Sequence, residues 1–417
     1  MPMETEKIDR TPYPDDGLDR TLVRPLPVEA GEPYASSQHI PPAPAPQRTS
    51  RARRTRRDQG RPRHGCLAAL LWPVALGIGL LCVARMLPVE MSSALLIPEA
   101  VSFVPWLIVP AALIFVLALL WRRGALAVCA GIVLAVLAWW HAGYFIPSGS
   151  LTPSARAAAA PSAEPNTGDA VMRIMTLNAY NGNASADEVV ACVRENNVEL
   201  LALQEVTWSF LDELAAAGLY DALPYVATSD AGEWDNGGMN CLFSMVPLSD
   251  VDSDLLPTDL SALCAGSVEV GGRSLRFVSC HPSSPHLGGE EQWGAGLETI
   301  GSLSAYDRSY VIMGDFNATW NHAYFRELLG ASFVDAGQHA GEGFHMTWPS
   351  RIEYLAGHNL PAALVEHVPA LIEIDHIVYS AHAGIVVGDL KTASISGTDH
   401  LALIATLEVQ SGAVSDA

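Results

Sequence analysis

Positive charge is what this chain has least of where it would matter for a polyanionic partner. Residues 165–417 carry 33 Asp and Glu against 8 Lys and Arg, a balance of −25, whereas the whole 417-residue chain stands at −21. A protein that tracks long nucleic acid offers a basic stripe that displaces counterions from the phosphates. Here repulsion opposes that, which demotes long nucleic acid as a substrate. A thiolate- or histidine-rich ligand spacing is also missing, so nothing argues for zinc. Of the seven cysteines, Cys66, Cys82 and Cys129 sit in apolar runs and read as small apolar residues. No cleavable leader is evident, because the first apolar run begins far from Met1.

Long apolar runs are present, and they come early: about Cys66–Ala84, about Ala100–Trp121 and about Ala125–Phe145. Each is near the ~20 residues with which a helix crosses ~30 Å of hydrocarbon, and almost no charge interrupts them. They are predicted as three transmembrane helices. Arginine sets the orientation. Arg48, Arg51, Arg53, Arg54, Arg56, Arg57, Arg61 and Arg63 precede the first run, Arg122 and Arg123 separate the second from the third, and the turn Met86–Glu99 has none. The positive-inside rule then predicts a multi-pass protein of the cell membrane with a cytoplasmic N-terminus and an extracellular C-terminal domain. Residues 1–65 read as a disordered cytoplasmic tail ending in the Arg cluster, 66–146 as the spans, 147–168 as an Ala/Pro/Ser linker and 169–411 as the folded domain.

Within that domain one layout recurs: an extended apolar run that ends in polar residues. Tyr310–Asp315 ends in Gly-Asp and is followed by Phe-Asn, which sets an acid and an amide, Asp315 and Asn317, at one strand end. A carboxylate there can orient or deprotonate water, and an amide can bind a phosphoryl oxygen without adding negative charge. Val171–Asn178 ends in an amide, Glu199–Glu205 in Gln-Glu, and Ser274–His281 in His after a Gly-Gly turn. Ile374–Tyr379 carries Asp375 inside a buried-looking strand, and Thr398-Asp-His400 leads into Leu401–Leu407. Strand ends suit a site because the sheet fixes the residues while the loops converge. His376 follows Asp375 on a strand, so its side chain points to the opposite face and reads as core.

This ordered set, Asn178, Gln204-Glu205, His281, Gly314-Asp-Phe-Asn317, Asp375-His376 and Thr398-Asp-His400, resembles the endonuclease/exonuclease/phosphatase superfamily, the pancreatic-deoxyribonuclease-like fold. The resemblance covers residues 171–409. It implies an α/β four-layer sandwich, with two mainly antiparallel sheets face to face and helices outside. It also implies a metal-dependent phosphoric ester hydrolase with the site at one edge of the sandwich. By it, Glu205 is the main metal ligand, helped by Asn178 and Asp399. Asp315 orients or deprotonates the water, and Asn317 holds the phosphoryl group. His281 and His400 bind phosphoryl oxygens, and Asp375 fixes the tautomer of His400. Oxygen ligands of this kind suit Mg²⁺ or Mn²⁺. His286, close behind His281, is predicted to overhang the site, and Trp348 in Thr347-Trp-Pro349 to shape the pocket wall. The chain departs from the family pattern at Leu401-Ala402 after the Asp-His pair, and at Met245-Val246, where the family carries an Arg and an aromatic residue.

Two function classes follow. The first is an outward-facing, membrane-anchored phosphoesterase acting on phosphodiesters or phosphomonoesters, with a lipid or a small extracellular phosphoester as partner; an extracellular nuclease is a variant of it. The second is a membrane-tethered binding or scaffold domain that kept the fold without turnover. One further expectation concerns Cys264 and Cys280. A hairpin register pairing Val270 with Ser274 would set the two opposite each other, and a slip of one residue removes the pairing.

Overall fold

The computed structural model describes residues 65–94, 96–230, 236–258, 260–286, 288–351 and 368–410. The expected tail therefore lies, up to residue 64, outside the described residues. The helical N-terminal segment consists of α1 (Gly65–Arg85), α2 (Val89–Ser92), α3 (Ile97–Ser102), α4 (Ile108–Leu120) and α5 (Gly124–Trp140).

Three membrane crossings were expected here, and the structure corrects that reading. Among the described residues no helix is long and apolar enough to cross a membrane. The multi-pass membrane placement and the extracellular location drawn from it fall with the spans. The second run is broken into α3, a 3₁₀ turn and α4, with Pro98, Pro105 and Pro110 each in the first turn of its element, where proline is tolerated, and α4 has only 13 residues. Thirteen residues reach ~20 Å, short of the ~30 Å hydrocarbon thickness. The third run stops at Trp140 after 17 residues, about 26 Å, before a turn through His141–Tyr144. The first run, α1, carries Pro73 inside and ends on Arg85. That arginine is buried, and its Nε donates to Asn321 Oδ1 at 2.7 Å. Hydropathy alone could not separate a membrane span from a helix that packs on its own chain.

Among the described residues the rest of the chain builds two six-stranded sheets. The first contains β1 (Val171–Asn178), β2 (Leu200–Val206), β3 (Tyr225–Thr228), β4 (Met239–Ser244), β11 (Ile385–Ser394) and β12 (Leu401–Val409), in the order β11-β12-β1-β2-β4-β3. The second contains β5 (Ser249–Asp252), β6 (Cys264–Val270), β7 (Arg273–Cys280), β8 (Tyr310–Asp315), β9 (Phe333–Asp335) and β10 (Asp375–Ser380), in the order β5-β6-β7-β8-β10-β9. Each sheet has a single parallel pair, β1–β2 and β7–β8, and is otherwise antiparallel. A parallel pair needs a crossover. Helices α7 (Ala186–Glu195) and α10 (Glu290–Gly301) lie in these two connections.

Alternation along the strands explains the layers. On β1, Met172 and Ile174 enter the core between the sheets with Leu242, Phe277, Met313 and Leu403. Met175 and Leu177 face outward into a second core with Val189 of α7 and Phe210 of α8 (Trp208–Ala216). A third core joins the outer face of the second sheet to α10 and α11 (Ala323–Leu329) through Ile312, Trp293 and Phe325. Both faces of the central strands are buried, so those strands read as near-continuous apolar runs. The expected four-layer α/β sandwich is present.

Residues 151–158 lie along the first sheet. Leu151 and Ala155 pack on Val386, and Thr152 donates to Glu408. In the β6–β7 hairpin Val270 pairs with Arg273, so Cys264 faces Ser279 rather than Cys280. The one-residue slip sends Cys264 to the inter-sheet core and Cys280 to the helix side, and both are free thiols.

Candidate active site

Strand direction brings the polar ends together. β1 and β2 are parallel, as are β7 and β8, so Asn178, Glu205, His281 and Asp315 end at the same edge. β10 runs antiparallel to β8 and opens with Asp375 directly opposite Asp315. β12 runs antiparallel to β1 with Leu403 opposite Thr176, which returns Asp399 and His400 to the end of β1. Thr398 Oγ1 locks that return by donating to the Asn178 carbonyl at 2.7 Å.

Asp315 is the centre of the cluster. Its Oδ1 accepts the Asn317 backbone N–H at 2.7 Å. Its Oδ2 meets Asn178 Nδ2 at 3.1 Å, His281 Nε2 at 3.4 Å and His400 Nε2 at 3.5 Å. His400 turns its other nitrogen, Nδ1, to Asp375 Oδ2 at 2.8 Å. Glu205 stands beside them: Oε1 accepts from Asn178 Nδ2 at 2.9 Å and Oε2 from the Asn181 backbone at 2.8 Å. Glu205 and Asn317 hold positive φ values of 55° and 49°, uncommon for residues other than glycine. Gly237 closes over Glu205 so tightly that an added Cβ would sit 2.5 Å from its carboxylate.

Burial and charge oppose each other here. Burial raises the Asp315 carboxyl, but the His400 charge and the hydrogen bond from His281 outweigh it and hold Asp315 well below the usual range. Burial lowers His400, but Asp375 and then Asp315 push it up to about 10. His281 is also raised: burial lowers it and Asp315 more than compensates. Two imidazoles pushed toward the protonated form beside one carboxylate make an anion-binding surface with its own counter-charge.

A cavity of about 620 Å³ opens onto the cluster, lined by Glu205, His281, Asp315, Asn317, Asp399 and His400 among others. His286 and Trp348, expected at its rim, also line it, and Trp348 Nε1 donates to Asp399 Oδ2 at 3.1 Å. Asn178 and Asp375 stand behind the lining. Two residues were not read from the sequence. Asn236 places its amide nitrogen 3.2 Å from His281 Nε2 and donates to the Pro282 carbonyl at 3.1 Å. The Asn236-Gly-Gly238 turn was its only signal. Glu99 lies in a stretch read as a turn between membrane spans, yet it lines the same cavity.

The donors suit a hard cation. Asp399 Oδ1 is buried without a hydrogen-bond partner among the described residues, with His400 Nε2 3.8 Å away, and burial followed by the Glu205 charge raises the Asp399 carboxyl. Two such carboxylates on one cavity match the oxygen ligands that Mg²⁺ takes together with water. Asn178 Oδ1 accepts the Tyr180 N–H and its Nδ2 donates to Glu205 and Asp315, so it positions those acids. Among the described residues no three His, Cys, Asp or Glu side chains already converge as a ligand set.

The model of the Endonuclease/Exonuclease/phosphatase family matches residues 175–400. No curated protein matches the chain. Among solved structures, the chain is similar to a humanized zebrafish (D. rerio) TDP2 at 13% identity and TM-score 0.46, over 58% of this chain and 100% of that one. It is similar to an endonuclease/exonuclease/phosphatase family protein from Leptotrichia buccalis at 18% identity and TM-score 0.44, over 57% and 99%. An AP endonuclease from Archaeoglobus fulgidus follows at 15% and 0.43, over 56% and 98%.

Proposed function

Since this chain belongs to the endonuclease/exonuclease/phosphatase family, whose members are phosphoester hydrolases, we propose that it hydrolyses phosphodiester or phosphomonoester bonds by in-line attack of water, with Mg²⁺ or Mn²⁺ as cofactor. The observation that carries this reading is the buried Asp315 carboxylate flanked by His281 and His400 on the floor of the cavity.

Asp315 accepts a hydrogen bond from the attacking water and takes its proton as the new P–O bond forms. Its depressed pKa makes it a weak base, so its main contribution is to orient the water. Asn317 spends one amide N–H on the Pro282 carbonyl at 3.0 Å and offers the other to a phosphoryl oxygen. His281 binds a second phosphoryl oxygen. His400 keeps its proton through Asp375 and donates it from Nε2 to the oxygen that leaves when the old P–O bond breaks. Glu205 and Asp399 would hold the cation, which neutralises charge on the phosphoryl group when bound. The domain's acidic balance favours small phosphoesters over long nucleic acid.

An inert scaffold of the same fold is the competing reading, and it leaves the paired imidazoles and the strained Glu205 and Asn317 without a purpose. The test is to incubate the purified full chain with Mg²⁺, with Mn²⁺ or with EDTA. The substrates are bis(p-nitrophenyl) phosphate, p-nitrophenyl phosphate, phospholipid vesicles and oligonucleotides. Turnover of at least one small ester, abolished by EDTA, is expected. Glu205→Gln removes the ligand's charge at nearly constant shape. It is expected to cost about 100-fold in kcat/KM, partly restored by raised metal. No turnover of any substrate, or turnover indifferent to both EDTA and Glu205→Gln, would overturn the reading.

A further inference from the structure

The cavity is not built by the family domain alone. Glu99 and Ser102 of α3, with Phe103 just after it, share the lining with His281, Asp315 and His400. All three lie outside residues 175–400, which the family model matches.

The mount of α3 is specific and close to the chemistry. The Thr319 backbone N–H donates to His322 Nδ1 at 2.7 Å, so that nitrogen is the acceptor and Nε2 carries the proton. Nε2 then donates to the Pro98 carbonyl at 2.8 Å and lies 3.3 Å from Ser102 Oγ. Burial lowers His322 to about 4, which keeps the ring neutral in this role. Trp106 Nε1 donates to the Leu371 carbonyl at 2.6 Å, and Arg85 reaches Asn321 at 2.7 Å. Thr319, Asn321 and His322 directly follow Asn317, so α3 is fixed to the loop that carries the proposed phosphoryl-binding amide.

Glu99 is left incomplete by this arrangement. Its Oε2 is out of contact with solvent and has no hydrogen-bond partner among the described residues, a costly state for a carboxylate oxygen. Its neighbours on the cavity wall are short of cations: among the described residues that line the cavity there is no Lys or Arg. Aromatic faces are present in Phe103, Tyr180 and Trp348. With His281 and His400 engaged by the reacting phosphate, a second phosphate on a substrate would meet the Glu99 carboxylate with no Lys or Arg among the described lining residues to balance it. A hydroxyl or ammonium donor would complete the orphaned oxygen, and an ammonium would also gain from the aromatic faces.

We propose that Glu99 is a specificity residue supplied from outside the family domain. It selects phosphoesters whose group beyond the reacting phosphate donates hydrogen bonds or carries positive charge, and it rejects those that carry a further phosphate. The proposal rests on the phosphoesterase reading.

Four p-nitrophenyl phosphodiesters separate the possibilities, because they share a leaving group and differ in the second ester: 2-aminoethyl, 2,3-dihydroxypropyl, ethyl and 2-phosphoethyl. The full chain should prefer the aminoethyl and dihydroxypropyl esters over ethyl, with phosphoethyl last. Whichever of the first two leads identifies the donor as ammonium or hydroxyl. In Glu99→Gln the aminoethyl-to-phosphoethyl ratio of kcat/KM should fall at least about tenfold, and in Glu99→Lys it should invert. An unchanged ratio in Glu99→Gln overturns the proposal, and this nearly isosteric variant decides the matter if Glu99→Lys does not fold. Calorimetric binding of O-phosphoethanolamine against inorganic phosphate keeps the two readings apart. If no ester is turned over but Glu99→Gln loses a preference for O-phosphoethanolamine, the phosphoesterase reading falls and Glu99 stands. Absence of any preference in the wild-type chain, in turnover and in binding alike, removes Glu99 as well.

Discussion

Two Asp–His pairs meet on β10, one on each side of the strand, and they have opposite fates. Asp375 holds His400 Nδ1 at 2.8 Å, and the other side of that ring, Nε2, faces Asp315 at 3.5 Å and the cavity. The next residue, His376, pairs through Nδ1 with Asp335 at 3.0 Å and spends Nε2 on the Ala318 carbonyl at 2.9 Å. Phe325 lies against its ring at 4.3 Å between centroids. Both pairs are buried, and both rings are pushed toward the protonated form. The lesson is that an Asp–His pair does not make a site. A site needs a ring nitrogen that faces an open cavity, whereas a ring with both nitrogens hydrogen-bonded inside the protein serves as a brace.

The comparison breaks most visibly if the brace is removed. His376→Leu would leave the Asp335 carboxylate buried without its cation, a change that costs on the order of 3–5 kcal/mol of stability. Urea unfolding should show the loss, while kcat per folded molecule stays within about threefold, because His376 is not among the cavity-lining residues. Collapse of kcat in a sample that melts normally would mean that the brace acts in the chemistry after all.

Asp375→Asn is the converse. On the proposed mechanism Asp375 is a positioning residue that acts through His400. Its loss should lower kcat/KM about 100-fold with a modest change in melting temperature. Removing the carboxylate also lowers the pKa of His400, so the limb of the pH profile that needs the protonated ring should move to lower pH. A variant that loses stability but keeps its pH profile would assign Asp375 to the same structural class as Asp335.

How much of this was legible in the sequence depends on what each residue's neighbours are. The strands were readable because both faces of β1, β2, β8 and β10 are buried and leave apolar runs, and the polar residue that ends each run marked the site edge. Asp375 and His376 fall on opposite faces of β10, as strict strand alternation requires. Asp335 as the partner of His376 was out of reach: it arrives from β9, forty-one positions away, through the tertiary pairing of β9 with β10. The helical segment misled for a related reason. An apolar run records that a surface must be covered, but not by what. Asn321, His322 and Leu371, which receive Arg85, α3 and Trp106, lie far along the chain. Glu99 was hidden by the same misreading.

The smallest effect is the one that distinguishes the brace by its titration. Burial alone would lower His376, but Asp335 raises it to about 9, so the folded state holds a proton that an unfolded histidine of ordinary pKa, about 6.5, releases. A raised folded pKa contributes stability that is complete below about pH 6.5 and is lost as pH rises through about 9. Glu373, raised to about 7 chiefly by burial, runs in the same direction, but its window closes lower. His400, raised to about 10, loses stability over the same interval but is present in both proteins, so between pH 7 and pH 9.5 the difference between wild type and His376→Leu reports His376. The stability difference between wild type and His376→Leu, taken from urea unfolding at each pH, should be largest near pH 6 and shrink steadily toward pH 9.5. A difference that stays constant across the interval would mean that His376 is neutral in the fold. Its contribution would then come from packing against Phe325 and from hydrogen bonds that need no charge, and the likeness between the two pairs would be one of geometry alone.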